Sequence, residues 1–130
     1  MRKKPWVKVS LIVVIVLVLL NLAGRVYWYF DSRVYYQEKF DRSVWLAQTG
    51  LWKPRNPRGP MAGDVAKTVI RPGMTKSEVV RILGVPDYRK LTGRYDYRIG
   101  IWAGDPLCSD ILSVRFDANG KVIEARVQDD

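Results

Sequence analysis

Histidine is absent from this chain, and cysteine occurs only once. Without histidine the chain lacks the most common general base at neutral pH, and histidine ligation of a metal is excluded. A single cysteine excludes an internal disulfide and a thiolate metal cluster. Cys108 has no histidine to activate it, so we interpret it as a packing residue or an unreactive thiol.

Two carboxylates form the best remaining candidate for chemistry. Asp105 and Asp110 share the loop 102–110, where they could act as an acid–base pair or hold a cation. Two acidic residues in a polar loop are usually solvated, and no other group completes a catalytic arrangement. The sequence therefore predicts that the protein is not an enzyme, with no catalytic, cofactor-binding or metal-binding residue.

A long apolar run is the most prominent feature that is present. Residues 9–24 read VSLIVVIVLVLLNLAG, and four of the charges behind the net charge of +9 precede this run. As a helix the run is about 24 Å long, slightly less than the roughly 30 Å hydrocarbon core of a bilayer. Aromatic residues follow at 27–30, the type that prefers the membrane interface. We predict a basic flank at residues 1–8 and a transmembrane helix with its aromatic interface at 9–30.

A cleaved signal peptide is the alternative interpretation of the same segment, because it also has a basic start and an apolar core. Asn21-Leu22-Ala23 matches a cleavage site poorly, and no cysteine follows the run for lipidation. The basic flank favours an N-terminus in the cytoplasm. The expected location is a bacterial inner membrane, crossed once, with the C-terminal domain in the periplasm and the lipid bilayer as a partner.

Two connecting segments follow the apolar run. Within residues 31–50, Tyr36, Phe40 and Val44 recur at four-residue spacing, which predicts a juxtamembrane amphipathic helix. Residues 51–60 contain three prolines among basic residues, which predicts an extended, solvated linker.

The remaining residues, 61–130, predict a small α+β domain of two short helices packed on a three-stranded antiparallel sheet. Met61, Val65 and Val69 mark the first helix. The second begins with the capping box Thr75-Lys76-Ser77-Glu78 and ends at Gly84. Alternating apolar residues predict strands over 95–101, 112–116 and 121–128, with Asn119-Gly120 as a tight hairpin and Ile123, Ala125 and Val127 on one face.

The motifs of this domain resemble a known family. The segments 71–79 (RPGMTKSEV), 83–87 (LGVPD) and 112–122 (LSVRFDANGKV), with Tyr97 between them, are similar to the SmpA/OmlA (BamE-like) family. The resemblance covers roughly residues 61–128. It implies a non-catalytic module that binds proteins or lipid at a bacterial envelope. Members carry a lipidated N-terminal cysteine, whereas this chain has an apolar helix in that place.

The expected function is thus a membrane-anchored interaction module in envelope or outer-membrane protein assembly or maintenance, with an envelope protein as partner. An inhibitor-like protein-binding domain is the alternative, followed by a lipid-binding or nucleic-acid-binding module. A basic and aromatic cluster suggests the last of these: Arg89, Lys90, Arg94, Tyr95, Tyr97 and Arg98. Strand alternation places the tyrosines toward the core and the arginines away from it, so we expect neither nucleic-acid binding nor a small-molecule substrate.

Overall fold

The computed structural model describes residues 5–102 and 107–129, and the chain divides into two compact units, Met1–Ser32 and Arg33–Asp130. The described part of the first unit is helix α1 (Pro5–Ser32). Its stretch Trp6–Tyr27, with 22 residues, is long and apolar enough to cross a membrane, judged by length and composition. The predicted apolar helix is confirmed, and it begins earlier than residue 9 because proline is compatible with the first turn of a helix.

The single amphipathic helix predicted for residues 31–50 is wrong. The chain instead forms a short 3-10 helix (Arg33–Tyr36) and then helix α2 (Arg42–Ala47). Asp41 is the N-cap of α2, and its Oδ1 accepts hydrogen bonds from two backbone N–H groups of the first turn, at 2.9 and 3.2 Å. Because an N-cap residue has an extended backbone, here with φ −115°, a helix cannot continue through this position.

The second unit contains a four-stranded antiparallel sheet, so the predicted α+β class is confirmed and the predicted three strands are wrong in number. The strands are paired in the order β1 (Tyr88–Lys90), β2 (Arg94–Gly100), β3 (Asp110–Phe116) and β4 (Val122–Asp129). Strand β1 escapes prediction because its three exposed residues show no apolar alternation. Only its pairing with β2 identifies it as a strand.

A β-bulge changes which residues of β4 face the core. Phe116 pairs with Val122, whereas the residue before Phe116 pairs with Glu124, so Ile123 is the extra residue. Val122 is consequently 4% exposed and Ile123 46%. The predicted inward position of Ile123 is wrong, while the other two residues of the predicted face pack against the core. The tight hairpin is confirmed, with φ +75° at Gly120.

The predicted solvated linker is also wrong, because its second half is packed inside the domain. Asn56 and Arg58 are each 1% exposed. The Ile101 N–H donates a hydrogen bond of 2.7 Å to the Pro54 carbonyl, which holds this segment against the end of β2. Gly100 makes the close approach possible: its φ is +96°, and a Cβ there would lie 2.6 Å from the Pro54 oxygen.

Two helical segments cover the sheet. Segment α3 runs through a 3-10 turn, an α-helical turn and a π-helical turn: Gly59–Met61, Ala62–Asp64 and Val65–Val69. Helix α4 (Lys76–Leu83) begins with the predicted capping box, in which Glu78 N–H donates to Thr75 Oγ1 at 3.1 Å and Thr75 N–H to Glu78 Oε2 at 2.8 Å. Helical structure is present at both predicted places, but the predicted two helices are not matched exactly, because α3 has mixed helical geometry and α2 also belongs to this unit.

Trp45 of α2 lies fully buried in the core of this unit. Its ring centroid is 5.9 Å from that of Phe40 and 6.1 Å from that of Tyr97. The indole N–H donates to the Leu83 carbonyl at 3.1 Å, which ties α2 to the end of α4. Residues before position 61 therefore belong to the same folded core as the predicted domain.

Candidate functional site

Most carboxylates described between residues 41 and 124 hold the fold together. Asp41 and Glu78 cap α2 and α4, and Asp117 accepts backbone hydrogen bonds within the hairpin. The Ser43 hydroxyl lowers the pKa of Asp41, and the Thr75 backbone N–H lowers the pKa of Glu78. The others have partners as follows: Asp64 with Phe40 N–H, Asp87 with Arg58, Asp96 with Arg94, Asp110 with Trp102 N–H, and Glu124 with Arg115.

The predicted acidic pair is only half described. Asp105 lies outside the described residues, while Asp110 is buried and its Oδ2 accepts the Trp102 N–H at 2.7 Å. Asp110 therefore fixes the backbone at the start of the loop. Cys108 is a half-buried free thiol. Within the ranges 5–102 and 107–129, no group of three or more His, Cys, Asp or Glu side chains could hold a metal ion.

The predicted basic and aromatic cluster is split by the sheet. Tyr97 is fully buried, and its hydroxyl donates to the Gly84 carbonyl at 3.0 Å. Burial raises the pKa of Tyr97 well above its ordinary value. Tyr88, which directly precedes the cluster in sequence, is more exposed than Tyr97, and the Arg98 guanidinium lies 4.8 Å from the Tyr88 ring centroid. The buried Tyr97 is therefore unavailable for stacking on bases.

Arg89 instead contributes to a groove of about 430 Å³ between α4 and the first two strands. We call it the basic groove, and its lining residues are Lys76, Ser77, Val80, Arg81, Arg89 and Tyr95. Three of these six side chains are cationic, and none is acidic. The groove is thus a shallow, open surface site of positive charge with an apolar component.

An aromatic pair supports the groove. The Tyr95 and Phe116 rings meet edge to face, with centroids 4.8 Å apart. Arg89 Cζ lies 5.4 Å from the Tyr95 centroid, and Lys76 Nζ lies 5.9 Å from it and 5.5 Å from the Phe116 centroid. These distances are within the range of cation–π attraction, so the rings help to hold both cations beside the groove.

Local structure explains why these residues meet. The capping box sets the start of α4, which places Lys76 and Val80 one helical turn apart, and likewise Ser77 and Arg81. Across the groove, Arg89 of β1 pairs directly with Tyr95 of β2, so their side chains lie on the same face of the sheet. The groove is formed where this helical face lies beside this pair.

Ion pairs among the described residues do not neutralise the three cations of the groove. Lys76, Arg81 and Arg89 form no salt bridge with any carboxylate that the structure describes. Glu78 is near enough to Arg81 for their charges to interact, but its carboxylate accepts the Thr75 N–H. An anionic group in the groove would therefore meet positive charge that no described carboxylate pairs with.

Sequence reasoning missed Lys76 and Arg81 as members of this site. Both stand on a helix that reads as an ordinary capped, solvated element, and Arg89 is eight residues beyond Arg81. The available sequence signal was the pair of basic residues, Lys76 and Arg81, on either side of Val79 and Val80. The partner across the groove is set only by the pairing of β1 with β2.

No family model, curated protein or solved structure matches this chain. The resemblance of its motifs to the SmpA/OmlA family accordingly stays a prediction. The basic groove is described from the positions of its own residues, without support from a related protein.

Proposed function

We propose that the protein is a non-catalytic interaction module, anchored in a bacterial inner membrane by α1, with its second unit in the periplasm. In this role it would bind an envelope protein involved in outer-membrane assembly or maintenance. The observation that carries the proposal is that the acidic and the basic residues have different structural roles. Carboxylates serve as caps, turns and ion pairs, whereas three cations line an open surface groove.

Two further features support this proposal. The 22-residue stretch Trp6–Tyr27 has the length and composition of a membrane span. The second unit begins at Arg33, directly after the last residue of α1. The similarity of residues 61–128 to the SmpA/OmlA family favours the same role.

Cross-linking in the membrane tests the proposal. The full chain, tagged at its C-terminus and expressed at native level, is cross-linked in cells, and the captured proteins are identified by mass spectrometry. The matched control is a tagged fusion that carries residues 1–32 alone. Proteins captured by this fusion are bound through the apolar helix and are subtracted. Enrichment of envelope assembly subunits over this control would support the proposal. Enrichment of cytoplasmic or nucleic-acid-associated proteins alone would overturn both the topology and the function.

A further inference from the structure

Resting on the proposed function, we propose that the basic groove binds an acidic, extended segment of a partner protein. In this arrangement the segment lies along β1, and its carboxylates point to the side of the sheet that carries Lys76, Arg81 and Arg89. The proposal thereby specifies the chemistry of the partner: a polypeptide stretch in which acidic residues alternate with uncharged ones.

Charge complementarity is the first argument. Three cations line the groove, two of them beside the Tyr95 ring, and none of the lining residues is acidic. Like charges brought together at a surface repel one another, and a ligand that carries several carboxylates would relieve that repulsion. Glu78, whose charge interacts with that of Arg81, is held by the N-terminus of α4 and does not line the groove.

The position of β1 at the edge of the sheet is the second argument. Among the described strands, β1 pairs only with β2, and all three of its residues are exposed. An edge strand of this kind can accept an additional strand through backbone hydrogen bonds. Because side chains alternate along a strand, every second residue of an added segment would point to the same face of the sheet as Arg89.

The exposed edge of β1 favours a peptide over a lipid surface. A bilayer attracts basic residues that protrude from a protein, but it offers no strand that could pair with a sheet edge. An extended segment supplies both carboxylates and a strand partner, and Val80 and Tyr95 add apolar surface beside the cations.

Fluorescence anisotropy of the full chain in a neutral detergent tests the proposal. The probe is a fluorescein-labelled peptide in which Glu alternates with Thr, and the control peptide has Gln in place of Glu. We expect the Glu peptide to bind and the Gln peptide not to bind. Substituting Lys76→Gln, Arg81→Gln and Arg89→Gln together should weaken binding about tenfold, since each exposed ion pair contributes modestly.

The matched control variant is Lys53→Gln, which removes an exposed positive charge away from the groove. It should leave the affinity for the Glu peptide unchanged. Equal binding by the triple variant, or equal binding of the Gln peptide, would overturn the proposal. So would failure of the peptide to bind while vesicles with phosphatidylglycerol bind the native chain and not the triple variant, because the groove would then recognise lipid.

The cross-linking experiment separates this proposal from the broader one. If the triple variant still captures the same envelope proteins as the native chain, the interaction role stands and the groove is not its binding site. If the triple variant loses those proteins and the Lys53→Gln variant keeps them, the groove is the site.

Discussion

Arg58 is the residue whose burial departs furthest from the sequence-based prediction, and its replacement by methionine tests that burial directly. The side chain is 1% exposed. Its Nε–H donates to the Trp45 carbonyl at 2.9 Å, its Nη2 to Thr49 Oγ1 at 3.2 Å, and its Nη1 lies 3.4 Å from Asp87 Oδ2. The guanidinium is also 4.8 Å from the Trp45 ring centroid. Arg58 thus joins three separate segments of the core.

The expected loss follows from these contacts. Removing one partner of a buried ion pair costs about 3–5 kcal/mol, because the other charge is left uncompensated. Asp87 retains the Arg98 N–H at 2.8 Å, and methionine fills part of the vacated volume. We therefore expect R58M to lower the free energy of unfolding by about 3 kcal/mol. For a unit of about 100 residues, this corresponds to a fall in Tm of about 12–24 °C.

Thermal unfolding of the full chain in detergent, followed by circular dichroism, measures this effect. Arg55→Met is the matched control, because Arg55 is exposed and its guanidinium lies 5.1 Å from the Trp102 ring centroid. Its loss should stay below about 1 kcal/mol. The double variant R58M/D87N should recover part of the lost stability, since it removes both charges.

A Tm for R58M within about 2 °C of the native value would refute the reasoning, given that 1 kcal/mol corresponds to a larger shift. Residues 51–60 would then behave as the solvated linker that the sequence predicts. Equal losses for R58M and for the Arg55→Met control would also contradict the assigned burial.

Three further predictions address the backbone, the helix cap and the topology. Gly100→Ala should cost about 1–3 kcal/mol in unfolding free energy, because φ is +96° and the new Cβ would meet the Pro54 carbonyl oxygen. Gly73→Ala is the control: its φ is +89° but a Cβ there meets no atom within 4 Å, so the loss should be smaller. Equal losses for the two variants would contradict the contact at Gly100. Because the folded protein lowers the pKa of Glu78, this carboxylate stabilises the fold above its ordinary pKa of 4.5, and the effect is lost as the pH falls through the lower pKa of the folded state. E78Q should therefore lower Tm at pH 7, and its Tm should fall less on acidification than that of the native chain. Parallel Tm–pH curves for the two proteins would refute this. Lys53→Cys in a Cys108→Ser background should react with a membrane-impermeant maleimide in cells whose outer membrane has been permeabilised, and labelling only after lysis would reverse the proposed topology.

Local interactions were predictable from the sequence because they join residues that are close along the chain. The capping box needs only Thr75 and Glu78, three positions apart, and the hairpin needs only Gly120 and its neighbours. The apolar helix follows from composition alone, because a run of this kind is stable as a helix in a membrane whatever follows it. The α+β class followed from the alternation of apolar residues in β2 and β3.

The tertiary structure alone decided the features that depend on distant partners. Arg58 reads as a linker residue until Trp45 and Asp87 surround it. Strand β1 exists only because β2 pairs with it, and the bulge at Ile123 follows from the pairing of β4 with β3. The basic groove likewise combines a helix and two strands whose cations are separated in sequence. The sequence by itself determined the apolar helix, the caps and the turns. The burial of Arg58 and the basic groove arise only when distant segments pack together, because the energies of these two features depend on contacts that no local pattern encodes.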